Sequence, residues 1–335
     1  MTRLGVLAGT ALAISLGAWT LWAGAALAMG GVGPDGASWL RVALGAAALL
    51  TVIAAGWWRG PKVGAALLAT ACLATTVWFF AGLPASHDRS WSEDQSRLPG
   101  VRFDGDLVHI TDARAFRYRG SGDWDARWFD TTYDLSTLEG ADFAVERFTD
   151  NEAVAHTLVS FRFTDGRVLA VSVEIRKEIG ESYGPVRGMF RQYELMVVLG
   201  DERDLLELRA VHREDTVYMH PMRGSPETAR AFLERLLRKA RDIRERPQWY
   251  HTVSASCTSV LAQQLQAVVD LPLDHRIYLP GYSDSLAFEL GIIDTTEDFP
   301  TTRERNRINE RAVAAAGQED FSERIRKGRT DQTRR

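Results

Sequence analysis

Cysteine is scarce in this chain of 335 residues, which contains only Cys72 and Cys257. Cys72 lies inside an apolar run near the N-terminus, whereas Cys257 lies in a polar region where a turn leads into a predicted helix. Cys257 therefore has no obvious disulfide partner. It is either a small buried thiol with a structural role or a thiol kept for chemistry.

Several enzyme motifs are also missing from the sequence. There is no Gly-rich phosphate loop, no HExxH, no paired CxxC and no GxSxG. The seven histidines lack metal-ligand spacing, so we expect neither a metal nor another cofactor. The formal net charge of -4 gives no reason to expect nucleic acid as a partner.

The N-terminal quarter is strongly apolar. Residues 4–33, 42–58 and 63–86 carry no charge, and each run is long enough for a membrane helix, which needs about 20 apolar residues. We predict three transmembrane helices within residues 1–86. A signal peptide is the alternative for the first run, because "ALA" at residues 26–28 resembles a cleavage site; the run is longer than the usual ~7–15 residues.

The orientation follows from the basic residues beside these runs. Arg3 lies at the N-terminus, and Arg59 and Lys62 lie in the second loop, whereas the first loop has only Asp35. By the positive-inside rule, the N-terminus and the second loop are cytoplasmic. Three crossings then put residues 87 onward on the outer face of the membrane.

The remaining chain predicts an α+β domain, because strand patterns come first and helical patterns follow. We predict a linker over residues 87–102, the domain over residues 103–300, and a charged, partly disordered tail over residues 301–335. The clearest helix begins after Ser225 as the N-cap, with Pro226 at the first helical position.

The clearest hairpin is "AVAHTLVSFRFTDGRVLAVSVEIRKE". A two-residue Asp165-Gly166 turn would set the apolar face of one strand beside the polar face of the other. A three-residue loop with a left-handed Gly166 pairs Thr164 with Val168 and brings like faces together. We therefore predict the three-residue loop.

In that register Arg176 lies opposite His156, and Glu174 lies diagonally beside it. The polar face thus gathers an imidazole, a carboxylate and a guanidinium. A face that is simply solvated is the alternative, since half-exposed antiparallel hairpins have the same pattern.

A second strand pair is predicted in "RQYELMVVLGDERDLLELRAV", which is rich in charge. These charges are interpreted mainly as a solvated strand face and turn, and a buried ion-pair network supporting the hairpin is the alternative. The charged residues are Glu194, Asp201, Glu202, Arg203, Asp204, Glu207 and Arg209.

Cys257 opens the helical segment "CTSVLAQQLQAVV". A thiol at a helix N-terminus faces unpaired N–H groups and the positive end of the helix dipole, which stabilise a thiolate. A nucleophilic thiol also needs a base, and His156 is the preferred candidate because its hairpin supplies groups that could orient the ring. His251 is closer in sequence but lies before the turn.

Three motifs, "AHTLVSFRFTDGRVLAVSVEIRKEIGESY", "FRQYELMVVLGDERDLLELR" and "WYHTVSASCTSVL", together resemble the bacterial family named for the Lnb N-terminal periplasmic domain. The resemblance covers roughly residues 124–271. It implies a circularly permuted papain-like thiol enzyme in which Cys257 is the nucleophile, His156 the base and Glu174 a third polar member.

The remaining candidate residues support or position the substrate. Arg176 comes from the hairpin register, and Tyr250 and Ser256 lie in the cysteine motif. Members of the family commonly have asparagines just before the cysteine, where this chain has Ser254-Ala255-Ser256.

The resemblance implies lipoprotein N-acylation, in which a fatty acyl chain passes from a phospholipid through a thioester to the N-terminal cysteine of a lipoprotein. The expected partners are therefore a phospholipid donor, a lipoprotein acceptor and the membrane. Two alternatives stay open. One is a cysteine amidase or peptidase acting on cell-wall peptides, and the other is a membrane-tethered module with a structural cysteine.

Overall fold

The computed structural model describes residues 3–31 and 38–328, and the chain divides into two compact units. Unit 1 comprises residues 1–92, 177–194 and 248–252. Unit 2 comprises residues 93–176, 195–247 and 253–335. The predicted linker is divided between them, and its second half contains a 3₁₀ turn at Glu93–Gln95.

Unit 1 contains three N-terminal helices, α1 (Arg3–Met29), α2 (Ser38–Arg59) and α3 (Pro61–Ala81). Within the described residues two helical stretches, Trp39–Arg59 and Pro61–Ala81, are long and apolar enough to cross a membrane. The corresponding stretch of α1, Ala13–Met29, is shorter. The described chain thus has two membrane-capable helices where the sequence predicts three.

Unit 2 is built on a mixed eight-stranded sheet. Its main path runs β1-β2-β9-β8-β7-β6-β10, and β5 pairs with β2. The β2–β9 pair is parallel, and β3 and β4 form a separate two-stranded ribbon. The strands are β1 (Gly100–Asp104), β2 (Leu107–Arg114), β3 (Arg117–Gly120), β4 (Asp123–Asp125), β5 (Trp128–Asp134), β6 (Leu138–Arg147), β7 (His156–Phe163), β8 (Val168–Arg176), β9 (Glu194–Asp201) and β10 (Thr216–Pro221).

Within the described residues, seven α-helices complete unit 2. They are α4 (Glu202–Glu207), α5 (Pro226–Glu245), α6 (Cys257–Gln266), α7 (Ser283–Glu289), α8 (Phe299–Arg305), α9 (Asn309–Ala315) and α10 (Phe321–Arg324). The helix predicted after Ser225 is confirmed as α5, and Ser225 caps it by accepting a hydrogen bond from the Thr228 N–H. The α+β class is also confirmed.

The predicted strand after β9 is wrong, because this stretch is helical. Asp201 caps α4 by accepting from the Arg203 N–H, and a π-helical turn at Leu208–His212 follows. Leu205 and Leu206 are both fully buried, so consecutive apolar residues face the core instead of alternating.

The β7–β8 hairpin has the predicted three-residue loop and a left-handed Gly166 with φ 82°, but the register differs by two residues. Phe163 N–H donates to the Arg167 carbonyl, so the loop begins one residue earlier than expected. Like faces still meet. However, Leu158 pairs with Ser172. In this register the residue opposite His156 is Glu174, whereas the sequence predicts Arg176 there.

Both faces of this hairpin are buried, so its polar face is not solvated. On one face Phe161 packs against Phe232 of α5. On the other, Leu158 belongs to an apolar cluster that includes Leu206 and Ile308. Polar groups on the hairpin consequently need partners inside the protein.

Residues 301–328, predicted as a charged tail, are folded into unit 2. Ile308, Phe321 and Ile325 are fully buried in the cluster around Leu158. Arg326 forms ion pairs with Asp142 and Glu202, which are themselves buried. The predicted disordered end, residues 329–335, lies outside the described residues.

Candidate active site

Cys257 is the first residue of α6, and its side chain is 6% exposed. Ser256 is the N-cap, and it forms a reciprocal capping box with Ser259. This box satisfies the N–H groups of Ser256 and Ser259, so the N–H groups of Cys257 and Thr258 are left without an intrahelical acceptor. The thiol therefore lies at a helix end whose first N–H groups have no acceptor within the helix.

His156 is the first residue of β7, and its ring is close enough to the Cys257 thiol that each group shifts the pKa of the other. The neighbouring Thr157 also lowers the pKa of that thiol. A hydrogen bond of 3.0 Å between the Thr157 and Thr258 hydroxyls ties the strand to the helix. The start of β7 and the N-terminus of α6 are thus held together at the thiol.

The other side of the imidazole meets a serine and a carboxylate. His156 Nε2 lies 2.7 Å from Ser172 Oγ and 3.3 Å from Glu174 Oε1. Ser172 Oγ donates to Glu174 Oε1 at 2.7 Å, so it accepts from Nε2–H. Nδ1 is therefore the ring nitrogen that remains for the thiol.

Arg209 holds the Glu174 carboxylate in place through hydrogen bonds. Its Nη2 donates to Glu174 Oε1, its Nε to Glu146 Oε2 and its Nη1 to the Leu205 carbonyl, each at 2.7 Å. Arg209 and Glu146 are both almost completely buried. Because a buried guanidinium with two carboxylate partners holds a fixed geometry, it positions Glu174 against the imidazole.

These contacts favour the charged forms of the thiol and the ring. Burial alone lowers the pKa of His156, but Glu174 and Cys257 outweigh it and raise that pKa to about 10. Burial raises the pKa of Cys257, but His156 and the Thr157 donors lower it to about 7. The pair is therefore suited to exist as thiolate and imidazolium near neutral pH.

Glu174 remains ionised in this setting. Burial raises its pKa, yet His156 and Arg209 hold the pKa well below its usual range. A permanently charged carboxylate stabilises the imidazolium and orients the ring, as a third member of a thiol site must.

Two predicted supporting residues have other hydrogen bonds in the structure. The Arg176 guanidinium donates to the carbonyls of Gln95 and Ser96 at 2.9 and 2.8 Å, because the shifted register moves it past the histidine. Tyr250 belongs to unit 1, where its N–H donates to the Tyr193 carbonyl. The guanidinium that contacts Glu174 belongs to Arg209.

Sequence reasoning missed Ser172 and Arg209 as parts of the site. Ser172 is two residues before Glu174 on the same strand face, so strand alternation could have identified it. Arg209 lies in a charged stretch interpreted as solvated, and only the helical fold of that stretch brings it beneath β8. The alternative interpretation, a buried ion-pair network, is the one that the geometry supports.

An apolar cavity of about 60 Å³, partly open to solvent, lies along α6 in unit 2. Thr258, Leu261, Ala262 and Leu265 line it from the helix. Thr258 is also the residue whose hydroxyl lies 3.8 Å from the Cys257 sulfur. The other lining residues are Phe143, Val159, Met222, Phe232, Leu271, Ile277, Ser283, Leu286, Ala287, Leu290 and Ile292.

Within residues 3–31 and 38–328, no three His, Cys, Asp or Glu side chains converge as a metal-binding group. The described site instead offers a nucleophile, a proton carrier and an orienting carboxylate. That set of groups can support acyl transfer through a covalent intermediate.

Fold and site together define a mixed α+β domain with a buried thiol in contact with an imidazole–carboxylate pair. Residues 124–281 match the family model of the Lnb N-terminal periplasmic domain. The range contains both the hairpin and Cys257, so the resemblance expected from the motifs is confirmed.

No curated protein and no solved structure matches the chain. The family describes a periplasmic domain, and the chain carries two membrane-capable helices before it. These findings describe a membrane-anchored protein with a periplasmic domain.

Proposed function

We propose that this protein is a membrane-anchored thiol acyltransferase. In this proposal a fatty acyl chain moves from a phospholipid to Cys257 and then to an amine, the N-terminal cysteine of a lipoprotein. The observation that carries the proposal is the contact of the Cys257 thiol with a ring whose opposite side meets Ser172 and Glu174.

The first half-reaction starts from the thiolate. The Cys257 sulfur attacks the ester carbonyl carbon, and the negative charge develops on the carbonyl oxygen. The N–H groups of Cys257 and Thr258 at the start of α6 are candidate donors to that oxyanion. When the C–O ester bond breaks, the His156 imidazolium gives its proton to the leaving alkoxide, so a lysophospholipid departs and a thioester remains.

The second half-reaction reverses the roles of the same groups. The acceptor amine attacks the thioester carbonyl, and His156 takes the proton that the amine loses. The C–S bond then breaks, and an amide forms while the Cys257 thiolate is restored. No oxidant, metal or cofactor enters either step.

The apolar cavity supports an acyl chain as the substrate over a peptide. Nearly all its lining residues are apolar, as the lining of a site for a hydrocarbon chain must be. Thr258 connects the cavity to the sulfur. A chain seated along α6 would therefore extend from a carbonyl carbon at the thiol.

The membrane anchor supports the same substrate class. A thiol tethered to the membrane meets lipid donor and lipid-linked acceptor at high local concentration. In the full proposal the two membrane-capable helices, α2 and α3, anchor the chain in the inner membrane and the thiol site faces the periplasm. The site adopts a circularly permuted papain-like arrangement, with the histidine strand preceding the cysteine helix.

The test is the mass of the Cys257 peptide after incubation of the full chain in phospholipid nanodiscs without an amine acceptor. We expect an added fatty acyl mass on Cys257 and none on Cys72, which serves as an internal control. Cys257→Ala should remove the adduct. Hydrolysis of cell-wall peptides without any acyl adduct would contradict the proposal and favour a cysteine amidase.

A further inference from the structure

A second feature of the molecule lies in unit 1, in the segment 177–192. It exposes four large apolar side chains, Ile179 (65%), Tyr183 (39%), Val186 (57%) and Met189 (42%). Single exposed apolar residues are ordinary, but a group within so short a segment marks an interaction surface.

This exposure is built into a defined backbone conformation. Tyr193 Oη donates to the Ser182 carbonyl and Thr252 Oγ1 to the Pro185 carbonyl, both at 2.6 Å. Gly188 lies so close to Thr252 that a Cβ atom there would be 2.5 Å from its hydroxyl oxygen. The segment is therefore held in place while its apolar side chains point outward.

The segment is anchored on the C-terminal end of α3. Phe190 is buried in a cluster with Ala26 of α1 and Phe79 of α3. Arg191 Nη1 donates to the carbonyls of Phe79 and Leu83, at 2.8 and 3.0 Å, and its guanidinium stacks over the Phe79 ring. Segment 177–192 thus ends on two apolar N-terminal helices.

The end of α3 is where a membrane surface would lie. At 21 residues and ~1.5 Å per residue the helix is about 31 Å long, which matches a hydrocarbon core of about 30 Å. Trp249 donates from its indole N–H to the Leu83 carbonyl at 3.0 Å, just beyond this end. Tryptophan is enriched at such interfaces.

We propose that residues 177–192 form an interfacial loop that inserts Ile179, Val186 and Met189 among the lipids of the bilayer that α3 enters. Arg187, exposed at the same turn, is placed to pair with lipid phosphate. This surface is distinct from the thiol site, and the inference holds whether or not the protein transfers acyl chains.

Lipid is favoured over a protein partner because the exposed residues directly adjoin a residue that packs on the apolar N-terminal helices. Phe190, directly after the exposed turn, already packs against the membrane-capable helix α3 and the apolar helix α1, so the exposed apolar side chains adjoin residues that pack on these helices. Basic and apolar residues in one short segment are the composition of membrane-interface elements.

The test places an NBD fluorophore at Val186→Cys in full-length protein that also carries Cys72→Ala and Cys257→Ala, in nanodiscs with and without nitroxide-labelled phospholipid. Val313→Cys is the matched control, because Val313 is an equally exposed valine (60%) in α9. We expect blue-shifted emission and at least several-fold quenching at position 186, and no quenching at position 313. Equal, unquenched signals at both positions would overturn the proposal.

A second variant guards against a local artefact of the label. Ile179→Asp and Met189→Asp, added to the labelled protein, should expel the loop and restore the emission towards its value in water. An unchanged thermal midpoint would show that the fold is retained. Quenching that persists after both substitutions, or burial of the label only on adding a protein, would count against lipid insertion. Because Cys257 is replaced throughout, failure here is separate from failure of acyl transfer.

Discussion

At the scale of single residues, Glu174 is shared by two cations. One oxygen, Oε1, accepts from Ser172 and Arg209 and lies 3.3 Å from His156 Nε2. Because three polar groups converge on this oxygen, a change at the Glu174 carboxylate directly alters the pKa of the imidazole. The resting charge of the ring is therefore set by a residue that does not touch the thiol.

Glu174→Gln should move the alkaline limit of Cys257 acylation to lower pH. The carboxylate raises the pKa of His156, so removing its charge lowers that pKa, and the imidazolium needed to protonate the leaving alkoxide is lost earlier as pH rises. We expect a shift of roughly 1 to 3 pH units, measured as acylation rate against pH. Glu139→Gln, at an exposed position on β6, should leave the profile unchanged. An unshifted limit in Glu174→Gln would exclude this role.

At the scale of elements, three features meet at the site: the N-terminus of α6, the start of β7 and the π-helical turn after α4. Arg209 is in that turn and reaches β6 through Glu146 and β8 through Glu174. The buried guanidinium thus connects a helix to two strands of the sheet. Its loss would leave two carboxylates buried without their shared partner.

Arg209→Met should lower the free energy of unfolding by about 3–5 kcal/mol, the usual cost of breaking a buried ion pair. The matched control is Arg238→Met, because Arg238 is half-exposed and pairs with Glu234 on α5. There we expect less than about 1 kcal/mol. Urea unfolding of the full chain in detergent measures both changes. Similar losses in the two variants would contradict the ion-pair account.

The cavity along α6 makes a prediction about chain length. Ala262 lines it, so Ala262→Phe should fill part of the space and shift the preferred acyl donor to shorter chains. Gln263→Phe is the control, because that side chain is exposed on the same helix. Competition between donors of different chain length, read by the mass added to Cys257, measures the shift. If both variants prefer donors of the same chain length, the cavity does not bind the acyl chain.

Sequence patterns predicted the elements that depend on local chemistry. The Ser225 cap, the Gly166 turn and the position of Cys257 at a helix start follow from short-range rules. The register of the hairpin does not follow from such rules. A three-residue loop at 164–166 and one at 165–167 bring the same apolar faces together, and they differ only in which polar residues lie opposite each other. The role of Arg209 depends on long-range packing, which spacing along the chain does not encode.

At the scale of the whole molecule, the C-terminal segment is part of the core of unit 2. Its apolar residues pack beneath β7, and Arg326 neutralises two buried carboxylates, Asp142 and Glu202. High charge along residues 301–335 suggested a solvated tail, but a minority of apolar residues at helical spacing is sufficient to bury one face.

Truncation should show that this segment belongs to the core. Removal of residues 306–335 should abolish the cooperative unfolding of unit 2, since Ile308, Phe321 and Ile325 are lost from the core. Limited proteolysis of the full and the truncated chain measures this. Equal protease resistance in the two would contradict the assignment of the segment to the core.

The most direct test of the account is the pH dependence of iodoacetamide alkylation at Cys257 in the folded protein, followed by peptide mass. His156 lowers the pKa of the thiol to about 7, so we predict a midpoint near pH 7 that moves towards 9 in His156→Gln. A midpoint near 9 in the unchanged protein, or one that His156→Gln does not move, would contradict the thiolate–imidazolium pair.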